Sequence, residues 1–171
     1  MKAQVENAIS ALIGKPLWIC RRAADMATFQ FGRRLETRDF YGRPSLVGDY
    51  ALHVQCTWRI AQGDRVFVGA HDLYYPADYE HVSENIPEDF DWDHSPNRRD
   101  KLLAALFDDG KREFVVQEVK VGAAGSLHLK LDDGLSLDIL TNTSLDAEHW
   151  RLFRPGKDEP HFVVTGQGVE T

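Results

Sequence analysis

Residues whose types could do chemistry gather in two stretches. The first is His53, Gln55, Thr57 and Arg59, which occupy alternate positions. In an extended strand such positions share one face about 7 Å apart, so the four would form a polar row able to line a ligand groove. The plainer reading, preferred here, is the solvent side of an antiparallel sheet. The second stretch runs from His71-Asp72 through His81 to Asp91, Asp93 and His94. Histidine with carboxylate suits a divalent ion such as zinc. No His-Glu-x-x-His, paired Cys-x-x-Cys or EF-hand spacing accompanies it, so no metal site and no cofactor is expected. Carboxylate pairs such as Asp91/Asp93 or Glu88/Asp89 would serve acid–base catalysis only if one member were desolvated. In so acidic a stretch an exposed charged face is expected instead. There is no Gly-x-Ser-x-Gly elbow and no Gly-rich phosphate loop, and Gly122-Ala-Ala-Gly125-Ser reads as a turn. Neither Cys20 nor Cys56 has an activating neighbour in sequence, so buried reduced thiols are expected. A Cys20–Cys56 bridge stays open, because sequence does not fix their separation. No catalytic residue is assigned.

The elements that must position these residues are mostly strands. From Tyr50 to Ile60 the chain alternates without a break: Tyr50, Leu52, Val54, Cys56, Trp58 and Ile60 on one side, the polar row on the other. This predicts one long strand over 49–61 as the spine of a sheet. Before it, Val5, Ala8, Ile9, Leu12 and Ile13 recur at helical spacing over 3–13, and Gly14-Lys15-Pro16 stops that helix. Strands are predicted at 17–22 and 26–31, then a long charged hairpin excursion over 32–47. After the Gln62-Gly63-Asp64 turn comes a strand at 65–70. Ser95-Pro96 predicts a helix start, with Ser as the cap, and the helix runs to about Phe107. Strands follow at 113–121, 126–131, 135–140, 150–153 and 161–165. Asp132-Asp133-Gly134 is a strong hairpin signal, and the tail from Gly166 is expected to fray.

Between these halves lies an acidic aromatic connector, 74–95. Tyr74, Tyr75, Tyr79, Phe90 and Trp92 are threaded among Asp78, Glu80, Glu84, Glu88, Asp89, Asp91 and Asp93, with no Lys or Arg between His71 and Asn97. The rings are expected to pin the connector to the body while the carboxylates face water. The flanking segments also echo one another. Ala23-Ala24-Asp25 meets Ala123-Ala124-Gly125, Asp49, Leu52 and Val54 meet Asp132, Leu135 and Leu137, and Trp58-Arg59-Ile60 meets Trp150-Arg151-Leu152. The echo suggests two half-units, 1–73 and 96–166, within a single domain 1–171, although any two alternating stretches align somewhere.

Composition sets outer bounds. With 171 residues, 43% hydrophobic and 27% charged, the chain has room for a sizeable core. A net charge of −7 argues against nonspecific nucleic-acid binding; Arg33, Arg34, Arg38 and Arg43 make one candidate basic patch, for which a solvated loop is the preferred reading. No apolar run is long enough to span a bilayer, and the first residues lack the apolar core of a secretory signal, so a cytoplasmic protein without membrane association is expected. The fold expected is α+β, mainly antiparallel β as a sandwich or open barrel, with two short helices and an internally duplicated pseudo-twofold unit as a further possibility.

The phrases Gly14-Lys-Pro-Leu-Trp-Ile-Cys-Arg-Arg-Ala-Ala-Asp-Met26, Leu52-His-Val-Gln-Cys-Thr-Trp-Arg-Ile60 and Gly69-Ala-His-Asp-Leu73 resemble small bacterial proteins to which no activity is assigned. Size, acidity and class also resemble immunity proteins that neutralise bacterial toxins, without matched residues, so that likeness carries no site. Three functions are therefore weighed. The first is a non-enzymatic binding protein, immunity-like, that meets a basic protein partner through Tyr79, Phe90, Trp92, Asp91 and Asp93. The second is a small-molecule binder or hydrolase using His53, Gln55, Arg59, His71 and Asp72. The third is a homodimer formed through a sheet edge.

Overall fold

The computed structural model describes residues 1–81 and 85–170. Its elements in chain order are α1 (Lys2–Ile9), β1 (Pro16–Ala23), β2 (Met26–Phe31), β3 (Leu35–Arg38), β4 (Pro44–Val47), β5 (Tyr50–Val54), β6 (Thr57–Gln62) and β7 (Arg65–Gly69). After the connector come α2 (Arg98–Phe107), β8 (Phe114–Val121), β9 (Leu127–Leu131), β10 (Leu135–Leu140), β11 (Glu148–Phe153), β12 (Phe162–Thr165) and β13 (Gly168–Val169). Each strand pair is antiparallel, so the chain is α+β and mainly antiparallel β with two short helices.

Eleven strands form one sheet in the order β13-β12-β11-β5-β2-β1-β8-β9-β10-β6-β7, while β3 and β4 pair only with each other as the expected excursion. The sheet is two halves joined at a narrow seam, where β1 and β8 meet at only Pro16–Val115 and Leu17–Phe114. So short a seam lets the halves fold toward each other. Phe29 of β2 lies edge-on to Trp58 of β6, ring centroids 5.2 Å apart, although β2 and β6 belong to opposite halves. Alternate residues of both halves, among them Phe29, Leu52, Val54, Leu129, Leu137 and Trp150, therefore enter one core. Trp58 is 2% exposed and Trp150 0%, so both indoles sit inside as their apolar positions require.

The expected single strand over 49–61 is corrected to two. β5 pairs with β2 and β11, whereas β6 pairs with β10 and β7. At Gln55 and Cys56 the chain leaves one half-sheet and enters the other, and both backbone amides donate to the carbonyl of His149, at 2.8 and 3.2 Å. Alternation hid the break because Val54 and Cys56 are both buried and preserve the period across it. The return crossing lies between β10 and β11. The two crossings touch: Asn142 Nδ2 donates to Thr57 Oγ1 at 2.9 Å.

Two smaller expectations also change. The cap of α2 is Asn97, whose side-chain oxygen accepts from the Asp100 amide at 2.9 Å, and not Ser95. The tail does not simply fray, since Val169 and Gly168 pair with Val164 and Thr165. The Asp132–Gly134 turn is as expected: Asp133 and Gly134 both take positive φ, 54° and 71°, the conformation a tight hairpin needs.

Candidate functional site

The polar row of the spine does not form one groove, because the crossing divides it. His53, on β5, is half-buried and packs edge-on against Phe153 of β11, ring centroids 4.7 Å apart. Burial, reinforced by the positive charge of Arg151, pushes its pKa down to about 4, so the ring is neutral and acts as a packing surface. Arg59, on β6, is exposed and donates from Nε to Asp138 at 2.9 Å, and Asp138 also meets His128 Nδ1 at 2.6 Å. Asp72 caps the 3-10 turn Ala70–Tyr74 by accepting from the Gly69 amide at 2.8 Å, and pairs with Arg98 at 3.4 Å.

The connector residues serve mostly to fasten the chain. Tyr79 packs on Tyr75 at 4.9 Å and Trp92 on Tyr74 at 5.7 Å, while Arg98 donates to the Tyr79 carbonyl at 2.8 Å. Phe90 is half-buried. Asp93 is gripped by Arg22, whose Nη1 reaches its carboxylate and whose Nη2 reaches its carbonyl, both at 2.7 Å. Asp91 organises its own turn and bonds His94 Nδ1 at 2.8 Å; the Asp93 amide first and the His94 ring second hold the Asp91 carboxyl below its ordinary range, and Asp91 in turn holds the His94 ring above its own. Among the described residues no three His, Cys, Asp or Glu side chains gather as a metal would require.

Two of the expected ligand residues do come together. Gln55 and His71 line a cavity of about 140 Å³ at the strand crossing, with Asp25, Cys56, Thr57, Trp58, Tyr74, Arg99 and Asn142 among the remaining walls. Local structure explains why these converge. The break after Val54 turns Gln55 outward and Cys56 inward, the 3-10 turn after β7 brings His71 and Tyr74, and Asn142 arrives on the return crossing. The first turn of α2 supplies Arg99.

Arg99 dominates the cavity. It is 1% exposed, and its guanidinium lies 6.0 Å from the ring of Trp58. Nη1 donates to the carbonyl of Asp25 at 2.9 Å. Its Nε and Nη2 are buried and have no hydrogen-bond partner among the described residues. A buried unmet donor costs about 1–3 kcal/mol, and more on a charged group. Burial is also the main influence on its pKa, which it lowers. Cys56, in the cavity wall, has its thiol pushed up to about 12 by burial, so it is no nucleophile at neutral pH. Both cysteines are free thiols.

Comparison with protein-family models, curated proteins and solved structures found no match to this chain. The site must therefore be read from its own chemistry. Sequence reading found Gln55 and His71 but missed Arg99, Asn142 and Asp25. A signal for Arg99 was present: it stands four residues before Leu103 and eight before Phe107, on the buried stripe of α2, where a charged side chain needs a reason.

Proposed function

We propose that the protein is a non-enzymatic binding protein whose working surface is the cavity at the strand crossing, and that it takes one small polar ligand. The observation that carries this reading is the buried guanidinium of Arg99, two of its nitrogens unmet, in the wall of a cavity that Gln55, Thr57, His71 and Asn142 also line. Native proteins rarely leave buried donors unpaired, so such a group implies a partner that completes it. The volume, far below the ~300–1,000 Å³ of pockets for drug-sized molecules, restricts the ligand to a compact one. A melting-temperature screen of small metabolite-like compounds tests the reading. At least one compound should raise Tm in the wild type and do so less in Gln55→Ala. Stabilisation that is equal in both proteins, or absent throughout, would count against it.

A second reading, contact with a basic protein partner, is favoured by Asp78, Glu80, Glu88, Asp89 and Asp91, which stand exposed beside exposed Tyr74 and Ile86. Binding of a basic partner should then weaken when Asp89 and Asp91 become Asn; undiminished binding would dispose of this surface. The cytoplasmic placement rests on the two free buried thiols, the state a reducing compartment maintains.

A further inference from the structure

The geometry points to a compact oxyanion, a carboxylate or a phosphate group, gripped in the crossing cavity by the Nε–Nη2 edge of Arg99. This rests on the reading of the cavity as a ligand site and names its chemistry.

The two unmet donors are not an arbitrary pair. A guanidinium presents its N–H groups in a fixed planar fork, and Nε–H and Nη2–H lie parallel along one edge. That edge matches the spacing of two oxygens of a carboxylate or phosphate, which it binds bidentately. The third nitrogen is already engaged, since Nη1 donates to the Asp25 carbonyl. That contact, with the Trp58 ring beside the guanidinium, fixes the plane and leaves one complete fork unfilled.

Charge leads to the same class. Neighbouring acids have other partners: Asp100 accepts from Arg22 at 2.9 Å and from Asn97 at 2.8 Å, Asp93 is held by Arg22, and Asp72 pairs with Arg98. Asp25 lines the cavity as an exposed residue and reaches Arg99 through its carbonyl oxygen. Among the described residues no carboxylate forms an ion pair with Arg99. Asp100 and Asp25 favour the charge from a distance, but a buried cation with no paired counter-ion is costly, and a ligand bringing the negative charge reduces that cost. Gln55, Thr57, Tyr74 and Asn142 offer polar groups for the rest of the ligand, while the small volume excludes anything much larger than the anionic group and a few further atoms.

The test follows the ¹⁵N-labelled Nε–H resonance of Arg99 in the full chain, assigned by its loss in Arg99→Lys. Sodium acetate, sodium phosphate and acetamide are titrated separately at constant chloride. The expected result is a saturable shift with acetate, with phosphate or with both, at least tenfold stronger than with acetamide, and weakened several-fold in Gln55→Ala. The two salts separate a carboxylate ligand from a phosphate one. Equal response to acetamide would overturn the anionic class while leaving the ligand site standing. A resonance unmoved by both salts would overturn the fork as an oxyanion receptor, and a simultaneous lack of any stabilising compound in the melting screen would take the site with it.

Discussion

Arg99 occupies a position where the pattern of α2 calls for an apolar side chain, and it carries a charge there with two of its three guanidinium nitrogens unmet. Replacing a buried ion pair by hydrophobes of similar volume is often neutral or stabilising by about 1–4 kcal/mol, whereas removing one partner of a pair is costly because it strands the other charge; Arg99 has no ion-pair partner to strand among the described residues. In ligand-free buffer Arg99→Met should therefore be as stable as the wild type or more so by urea denaturation, while losing all response to acetate and phosphate. A loss of several kcal/mol would mean that the guanidinium is there for the fold. His53 gives a second residue-scale prediction. Its pKa of about 4 in the folded chain lies below the ~6.5 of an unfolded histidine, so between those values the unfolded chain binds more protons. Its contribution is complete above pH 6.5 and is lost as the pH falls toward 4. Denaturation at pH 7 and pH 4.5 should show a smaller loss in His53→Gln than in the wild type; equal losses would contradict the neutral, packed ring. From sequence His53 looked like a member of a polar row. Only the neighbouring strand, which brings Phe153 against it, makes it a packing residue.

At the scale of elements, the α2 cap matters most because it sets where Arg99 enters the cavity. Asn97 is 2% exposed, accepts from the Asp100 amide and donates to the Asp100 carboxylate at 2.8 Å. Removing such a cap costs about 0.5–2 kcal/mol, and burial of this one places Asn97→Ala toward the upper end. The denaturation midpoint should fall with an unchanged m-value, and no change would show that the cap is dispensable. The strands themselves were legible because alternation, Gly turns and the Asp-Gly hairpin are local signals. The cap was misplaced by two residues because Ser95 and Asn97 are both good capping types, and only the fold decides between them. In the same way the division of 50–60 into β5 and β6 leaves no mark in a period-two pattern. It comes from the pull of two different neighbours, β11 and β10, which are far away in sequence.

For the whole molecule, the strand order reads outward from the β1–β8 seam as β1, β2, β5, β11, β12, β13 on one side and β8, β9, β10, β6, β7 on the other. Trp58 and Trp150 each lie on the fourth strand from the seam, in the half opposite the strands that precede it. The two places differ in one respect that bears on function. Trp150 Nε1 donates directly to the Gly125 carbonyl at 2.9 Å, and a Cβ at Gly125 would come within 2.8 Å of Val164 Cγ1, so that side is sealed. On the Trp58 side Arg99 reaches the corresponding turn, at Asp25, and the cavity remains beside it. Sequence comparison of the halves revealed the echo but not this difference, which depends on what α2 inserts between tryptophan and turn. The cavity thus lies on the Trp58 side, between that tryptophan and the Asp25 turn. Crystal structures after soaking in acetate and, separately, in phosphate test this most directly. Oxyanion density is expected about 2.7–3.2 Å from both Nε and Nη2 of Arg99 in at least one of them. A carbonyl or carboxylate of the protein itself seated on that edge in both would contradict it.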